Sequence, residues 1–91
     1  MKKSVRLYLT GSVQSLFMKQ FIKNKAEEND VKGFLRAMDD GRMEIFIEGD
    51  VDNVRAMVEV CKQGPKHAII RSVEEKEERH QGFKDFKIMT I

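Results

Sequence analysis

Nine residues, Gly11-Ser-Val-Gln-Ser-Leu-Phe-Met-Lys19, place a glycine, small polar side chains and a cation between a strand pattern and a helix pattern. A turn of this composition can aim several backbone N–H groups at one point, and the helix that follows adds the positive end of its dipole. The chemistry this suits is the binding of an anion, a phosphate or a carboxylate. Ser12 and Ser15 add hydroxyls within reach of such an anion. No base stands beside either one, so a covalent serine mechanism is not expected. Cys61 falls on an apolar stripe and reads as a small buried hydrophobe rather than a nucleophile. His67 and His80 stand far apart and in no ligand spacing, so neither a metal nor a cofactor is expected. The plainer alternative is that Gly11 merely ends a strand and Lys19 is a surface lysine on a first helical turn.

The elements that must hold this loop are readable from period. Residues 4–10 alternate, with Val5, Leu7 and Leu9 on one face and Arg6, Tyr8 and Thr10 on the other, a half-buried strand that Gly11 ends. Over 17–29 the period lengthens, and Met18, Phe21, Ile22 and Ala26 mark the buried stripe of a helix that stops at Asn29-Asp30. Gly33 opens a second strand, Phe34 to Met38, and Asp40-Gly41 predicts a tight hairpin with positive φ at both turn positions. In the third strand, Met43 to Glu48, the expected inward residues are Met43, Ile45 and Ile47, and the outward ones Glu44, Phe46 and Glu48. Asp50 is placed to cap a second helix with Val51, Val54, Met57, Val58 and Cys61 on its stripe, and Gly64-Pro65 stops it. A fourth strand over 68–76 alternates less cleanly and suggests a bulge near Arg71-Ser72. The run Glu74 to His80 reads as a solvated strand end and loop, and a short strand with Phe86 and Ile88 on one face closes the chain. This order predicts an α+β fold, a ferredoxin-like βαββαβ sandwich. Its antiparallel sheet carries two helices on one face and a short extra C-terminal strand.

The totals narrow the function classes. A chain of 91 residues, 41% hydrophobic and 35% charged, predicts one soluble domain spanning 1–91. A net charge of +2 demands neither a nucleic acid nor a membrane surface. One cysteine excludes an internal disulfide and suits a reducing compartment, no apolar run is long enough to span a bilayer, and the basic N-terminus lacks the apolar run of a signal peptide. A cytoplasmic monomer is the expectation.

The opening stretch resembles the G-x-V-Q-G-V-x-F-R signature of the acylphosphatase family, small enzymes that hydrolyse carboxyl-phosphate mixed anhydrides. Gly11, Val13 and Gln14 match, while Ser15 replaces a Gly, Met18 an aromatic residue and Lys19 the Arg. From Val5 to Gly49 the likeness needs no gap, through Ala26-Glu27-Glu28, Gly33-Phe34-Leu35-Arg36, Asp40-Gly41-Arg42 and Glu48-Gly49. Gly64-Pro65 and Phe86-Lys87-Ile88 extend it to nearly the whole chain. The resemblance implies a phosphate-binding loop of Ser12, Val13, Gln14, Ser15, Leu16, Phe17, Met18 and Lys19. It implies a small acyl phosphate as substrate and inorganic phosphate as a further ligand. In the family an Arg helps the loop amides hold the phosphate and an Asn orients the attacking water. Those two catalytic positions fall on Lys19 and Ala37 here.

Both substitutions weaken the expected chemistry. Arg engages two phosphate oxygens with a planar fork, whereas Lys offers a flexible point charge. The methyl of Ala37 cannot orient water, and losing one preorganised donor costs roughly 10²–10³ in rate, about 2.7–4 kcal/mol. Ser15 would also disturb the loop if its position requires positive φ. Acyl phosphate hydrolysis that is weak or lost is therefore one expectation, and a catalytically silent anion-binding or protein-interaction module is the other. A third reading is an RNA-binding sheet that stacks bases on Tyr8 and Phe46, with Arg6 nearby. Glu44 and Glu48 on the same face and the low net charge count against it. A cross-strand Tyr8–Phe46 pair on a wet sheet face is the simpler expectation.

Overall fold

The computed structural model describes residues 1–89. In chain order the elements are β1 (Lys2–Ser12), α1 (Leu16–Glu28), β2 (Lys32–Ala37), β3 (Met43–Asp50), α2 (Val51–Gln63), β4 (Ile69–Glu77) and β5 (Phe86–Met89). The sheet order is β4-β1-β3-β2-β5. The first four strands pair antiparallel, as the ferredoxin-like arrangement requires, and β5 adds to β2 in parallel, which makes the sheet mixed. Alternation along β1 sends Val5, Leu7 and Leu9 into one core with Met18, Ile22 and Ala26 of α1 and Val54, Met57, Val58 and Cys61 of α2. Burial pushes the Cys61 thiol up to about 12, so it packs as a small hydrophobe.

Several local expectations change for identifiable reasons. Gly11 does not end β1. The strand runs on to Ser12, and Gly11 sits inside it at φ +139, where a Cβ would lie 2.1 Å from the Ile69 carbonyl oxygen. The register shift at Thr10/Gly11 leaves Arg71 as the extra residue of β4, the expected bulge. Gly33 likewise lies within β2 at φ +143, its missing Cβ making room for the Phe46 carbonyl. At the hairpin only Gly41 takes positive φ. Its amide closes a turn on the Met38 carbonyl while Met38 N donates to Arg42 O, so the connection is a longer turn ending in glycine rather than a two-residue one. Asp50 makes no side-chain cap and instead pairs with Lys2 at 3.1 Å.

The largest departure is on the sheet face away from the helices, which is covered at its centre while its β4 edge stays exposed. The segment between β4 and β5 joins opposite edges of the sheet, so it must cross a face, and Phe83 brings it down onto Phe34 and Phe46. Phe46 is 0% exposed and stacks on Phe34 at 6.0 Å, so the Tyr8–Phe46 pair does not form. Tyr8 stands opposite Glu44 and under the Arg42 guanidinium. Glu44 and Glu48, expected outward, are buried with partners. Glu44 takes Arg6 at 2.6 Å and Arg36 at 2.8 Å. Glu48 accepts from Ser4 Oγ and from the backbone N–H groups of Gln81 and Phe83. The run Glu74 to His80 is solvated only in part: it extends β4 to Glu77, and Glu78 reaches back to Arg6.

Candidate functional site

The loop after β1 is built from the side chains that tie it down. Val13 is buried in the core and fixes the loop's base. Gln14 turns the other way, and its Nε2 donates to the Met38 carbonyl at 2.7 Å and to the Arg42 carbonyl at 2.9 Å. One amide thus ties the loop to the neck of the β2–β3 hairpin. Ser15 follows at φ −67, ψ 154, the extended geometry of an N-cap, and its Oγ accepts from Met18 N at 3.0 Å. The concern that Ser15 would need positive φ is removed, since any residue adopts this backbone.

The consequence for the loop is a set of free donors. Met18 N is used by the cap and Lys19 N opens the helical ladder on Ser15 O at 3.1 Å. Among the described residues, the backbone N–H groups of Val13, Gln14, Ser15, Leu16 and Phe17 find no acceptor. They cluster at the N-terminal end of α1, where the dipole favours negative charge. The first turn of α1 holds no acidic residue to oppose an anion. Met18 points into the core, Ser12 is exposed at the end of β1 opposite Ile69, and Lys19 is half-buried and in no ion pair among the described residues. Leu16 and Phe17 leave their side chains 77% and 68% exposed.

Ala37 ends β2 opposite Met43. With Arg36, Met38, Asp39 and Asp40 it lines an open cleft of about 320 Å³. No residue of 12–19 lines this cleft. The loop reaches its neighbourhood through Gln14, which bonds the carbonyl of the residue directly after Ala37. Arg42 holds the Asp40 carboxylate through its backbone N–H and its guanidinium, and both keep that carboxyl below its ordinary value. The arrangement offers backbone donors and the cation Lys19 at the start of α1, and the methyl group of Ala37 at the end of β2. Sequence reasoning missed the Gln14 tie and the exposure of Leu16 and Phe17. The tie depends on a hairpin remote in sequence, while the exposure could have been read from the helical wheel, which turns Met18 rather than its two predecessors inward.

His67 and His80 are both exposed. The described residues contain no group of His, Cys, Asp or Glu able to hold a metal, and no described helix is long and apolar enough to cross a membrane.

Comparison with known proteins agrees with this fold. The acylphosphatase family profile matches residues 5–88. The chain is 37% identical over 90 residues to an acylphosphatase of Syntrophus aciditrophicus, covering 98% of this chain and 94% of the relative. It is 39% identical over 80 residues to one of Rubrobacter xylanophilus, covering 88% and 73%. Among solved structures, the acylphosphatase of Bacillus subtilis superposes with a TM-score of 0.89 at 28% identity, covering 98% of this chain and 99% of that one. With its fold and its sequence in agreement, the chain belongs to the acylphosphatase family.

Proposed function

We propose that the chain binds the phosphoryl group of small acyl phosphates in the 12–19 loop and hydrolyses the carboxyl-phosphate bond slowly. In the reaction water attacks phosphorus and the P–O bond to the acyl oxygen breaks. A carboxylate leaves, and both water protons end on the released dihydrogen phosphate. The observation that carries this reading is that, among the described residues, the backbone N–H groups from Val13 to Phe17 find no acceptor and Lys19 enters no ion pair. Backbone donors left without partners at a helix N-terminus can stabilise the charge gathering on the phosphoryl oxygens. Lys19 adds charge without the bidentate grip of an Arg, and Ala37 adds no donor for the water, so rate is lost at two places.

A second reading rests on Ala37 alone. If the missing donor abolishes turnover, the loop remains an anion-binding module. Hydrolysis of benzoyl phosphate by the purified protein, with inorganic phosphate as competitor, separates the two. The proposal predicts turnover above the spontaneous rate that phosphate inhibits. Phosphate binding without turnover selects the module, and neither binding nor turnover overturns both.

A further inference from the structure

We infer that Lys19 is a self-acylation site: an acyl phosphate held by the loop transfers its acyl group to the Lys19 amine, and the loop thereby loses its cation. This inference rests on the reading proposed above for the same loop. Its own observation is the standing of Lys19 among the lysines. Lys3, Lys19, Lys23, Lys25 and Lys32 are half-buried. Four of them sit beside a carboxylate, Lys3 at Glu77, Lys23 at Glu27, Lys25 at Glu28 and Lys32 at Asp30. Among the described residues, Lys19 alone of the five enters no ion pair. A half-buried cation gives up hydration, and without a counter-ion it recovers nothing in return. An anion at the loop supplies the missing partner.

The helix sets the position of the amine. Ser15 caps α1 and Lys19 N donates to Ser15 O at 3.1 Å, so Lys19 stands one turn into the helix. Helical side chains lean toward the N-terminus, which carries the amine back over the turn whose N–H groups find no acceptor. No acidic residue lies in that turn to occupy the amine instead. A bound acyl phosphate presents two electrophilic atoms, the phosphorus and the acyl carbon. Water at phosphorus gives hydrolysis. The lysine, once its ammonium has lost a proton to solvent, attacks the acyl carbon instead. The bond from that carbon to the phosphate oxygen breaks, an amide forms, and a proton of the amine leaves with the phosphate as hydrogen phosphate. No oxidant or further reactant is needed. Ala37 bears on the partition between the two reactions. It offers no donor to the attacking water, so a bound acyl phosphate persists longer beside the amine. The signature that the loop resembles carries an Arg at this position, and a guanidinium stays protonated and is no nucleophile. The acyl transfer is therefore a property of the lysine of this chain.

The test incubates the wild-type protein with benzoyl phosphate and quantifies benzoyl-lysine at each position by peptide mass spectrometry. Lys66, exposed and in no ion pair among the described residues, is the internal reference. The N-hydroxysuccinimide ester of benzoic acid, an acyl donor without a phosphate, reports the reactivity of each lysine outside the loop's influence. Binding of inorganic phosphate is followed in parallel through the amide resonances of 12–19. The inference predicts that benzoyl phosphate labels Lys19 at least about tenfold faster than Lys66. Saturating inorganic phosphate should abolish that excess, and the ester should show none. Equal labelling of the two lysines, with phosphate binding intact, overturns the inference while leaving the acyl phosphate reading standing. An excess that survives phosphate, or that the ester reproduces, marks a lysine reactive without the loop and overturns it equally. No response of the 12–19 amides to phosphate, together with no turnover, removes the loop reading and this inference with it.

Discussion

The Gln14 side-chain amide donates to the Met38 carbonyl at 2.7 Å, and through that bond the 12–19 loop is tied to the strand end carrying Ala37. The same nitrogen reaches Arg42 O at 2.9 Å, so both carbonyls at the hairpin neck carry a second donor beyond their backbone partners.

Gln14→Ala is expected to lose both bonds and about 1–2 kcal/mol of stability, read from urea midpoints. Gln14→Glu should cost more at neutral pH, because it sets carboxylate oxygens against two carbonyl oxygens. Equal stability of the two variants would show that the tie is not an N–H donation.

The carboxylate of Glu48 fastens the segment that crosses the second sheet face. Burial pushes its pKa up, but N–H donation from Gln81 and Phe83, the charge of His80 and the Ser4 hydroxyl outweigh burial and bring it below the ordinary 4.5. A carboxyl depressed in the folded state stabilises the fold above its unfolded value, and that contribution is lost as pH falls through the folded value. Glu48→Gln should therefore cost about 2–3 kcal/mol at pH 7. The gap to wild type should narrow steadily below about pH 4.5. A gap that stays constant down to pH 3 would contradict the latch.

Two glycines separate steric clash from backbone strain. A Cβ at Gly33 would lie 1.9 Å from the Phe46 carbonyl oxygen, backbone against backbone, at φ +143. At Gly41 a Cβ meets nothing within 4 Å, and only φ +94 opposes it. Gly33→Ala should cost more than about 3 kcal/mol or prevent folding, and Gly41→Ala about 1–2 kcal/mol. Thermal unfolding of both variants checks the order.

Much of this was readable before any coordinates. The alternation of Val5, Leu7 and Leu9, the stripe of Met18, Ile22 and Ala26 and the stop at Gly64-Pro65 each follow from local period and local sterics. What escaped was tertiary. Glu44, Phe46 and Glu48 alternate correctly, and the error lay in assuming that the second face meets water. Its cover is a polar stretch in which Phe83 is the only apolar anchor, and nothing local says that this stretch crosses the sheet. The site divides in the same way. The loop and the two substituted positions are visible in sequence, whereas the Gln14 tie requires the hairpin to lie beside it. Ser15 misled for a different reason: replacing a glycine suggested a demand for positive φ, and an N-cap makes none.

Under the proposed function the 12–19 loop holds the phosphoryl group, and rate is lost at Lys19 and Ala37. The most direct measurement is the kcat for benzoyl phosphate of wild type, Lys19→Arg, Ala37→Asn and the double variant, each first shown to be folded. The double variant is expected to exceed wild type by roughly 10²-fold or more, with each single variant falling between them. A folded double variant that binds inorganic phosphate yet turns over no faster than wild type would contradict it.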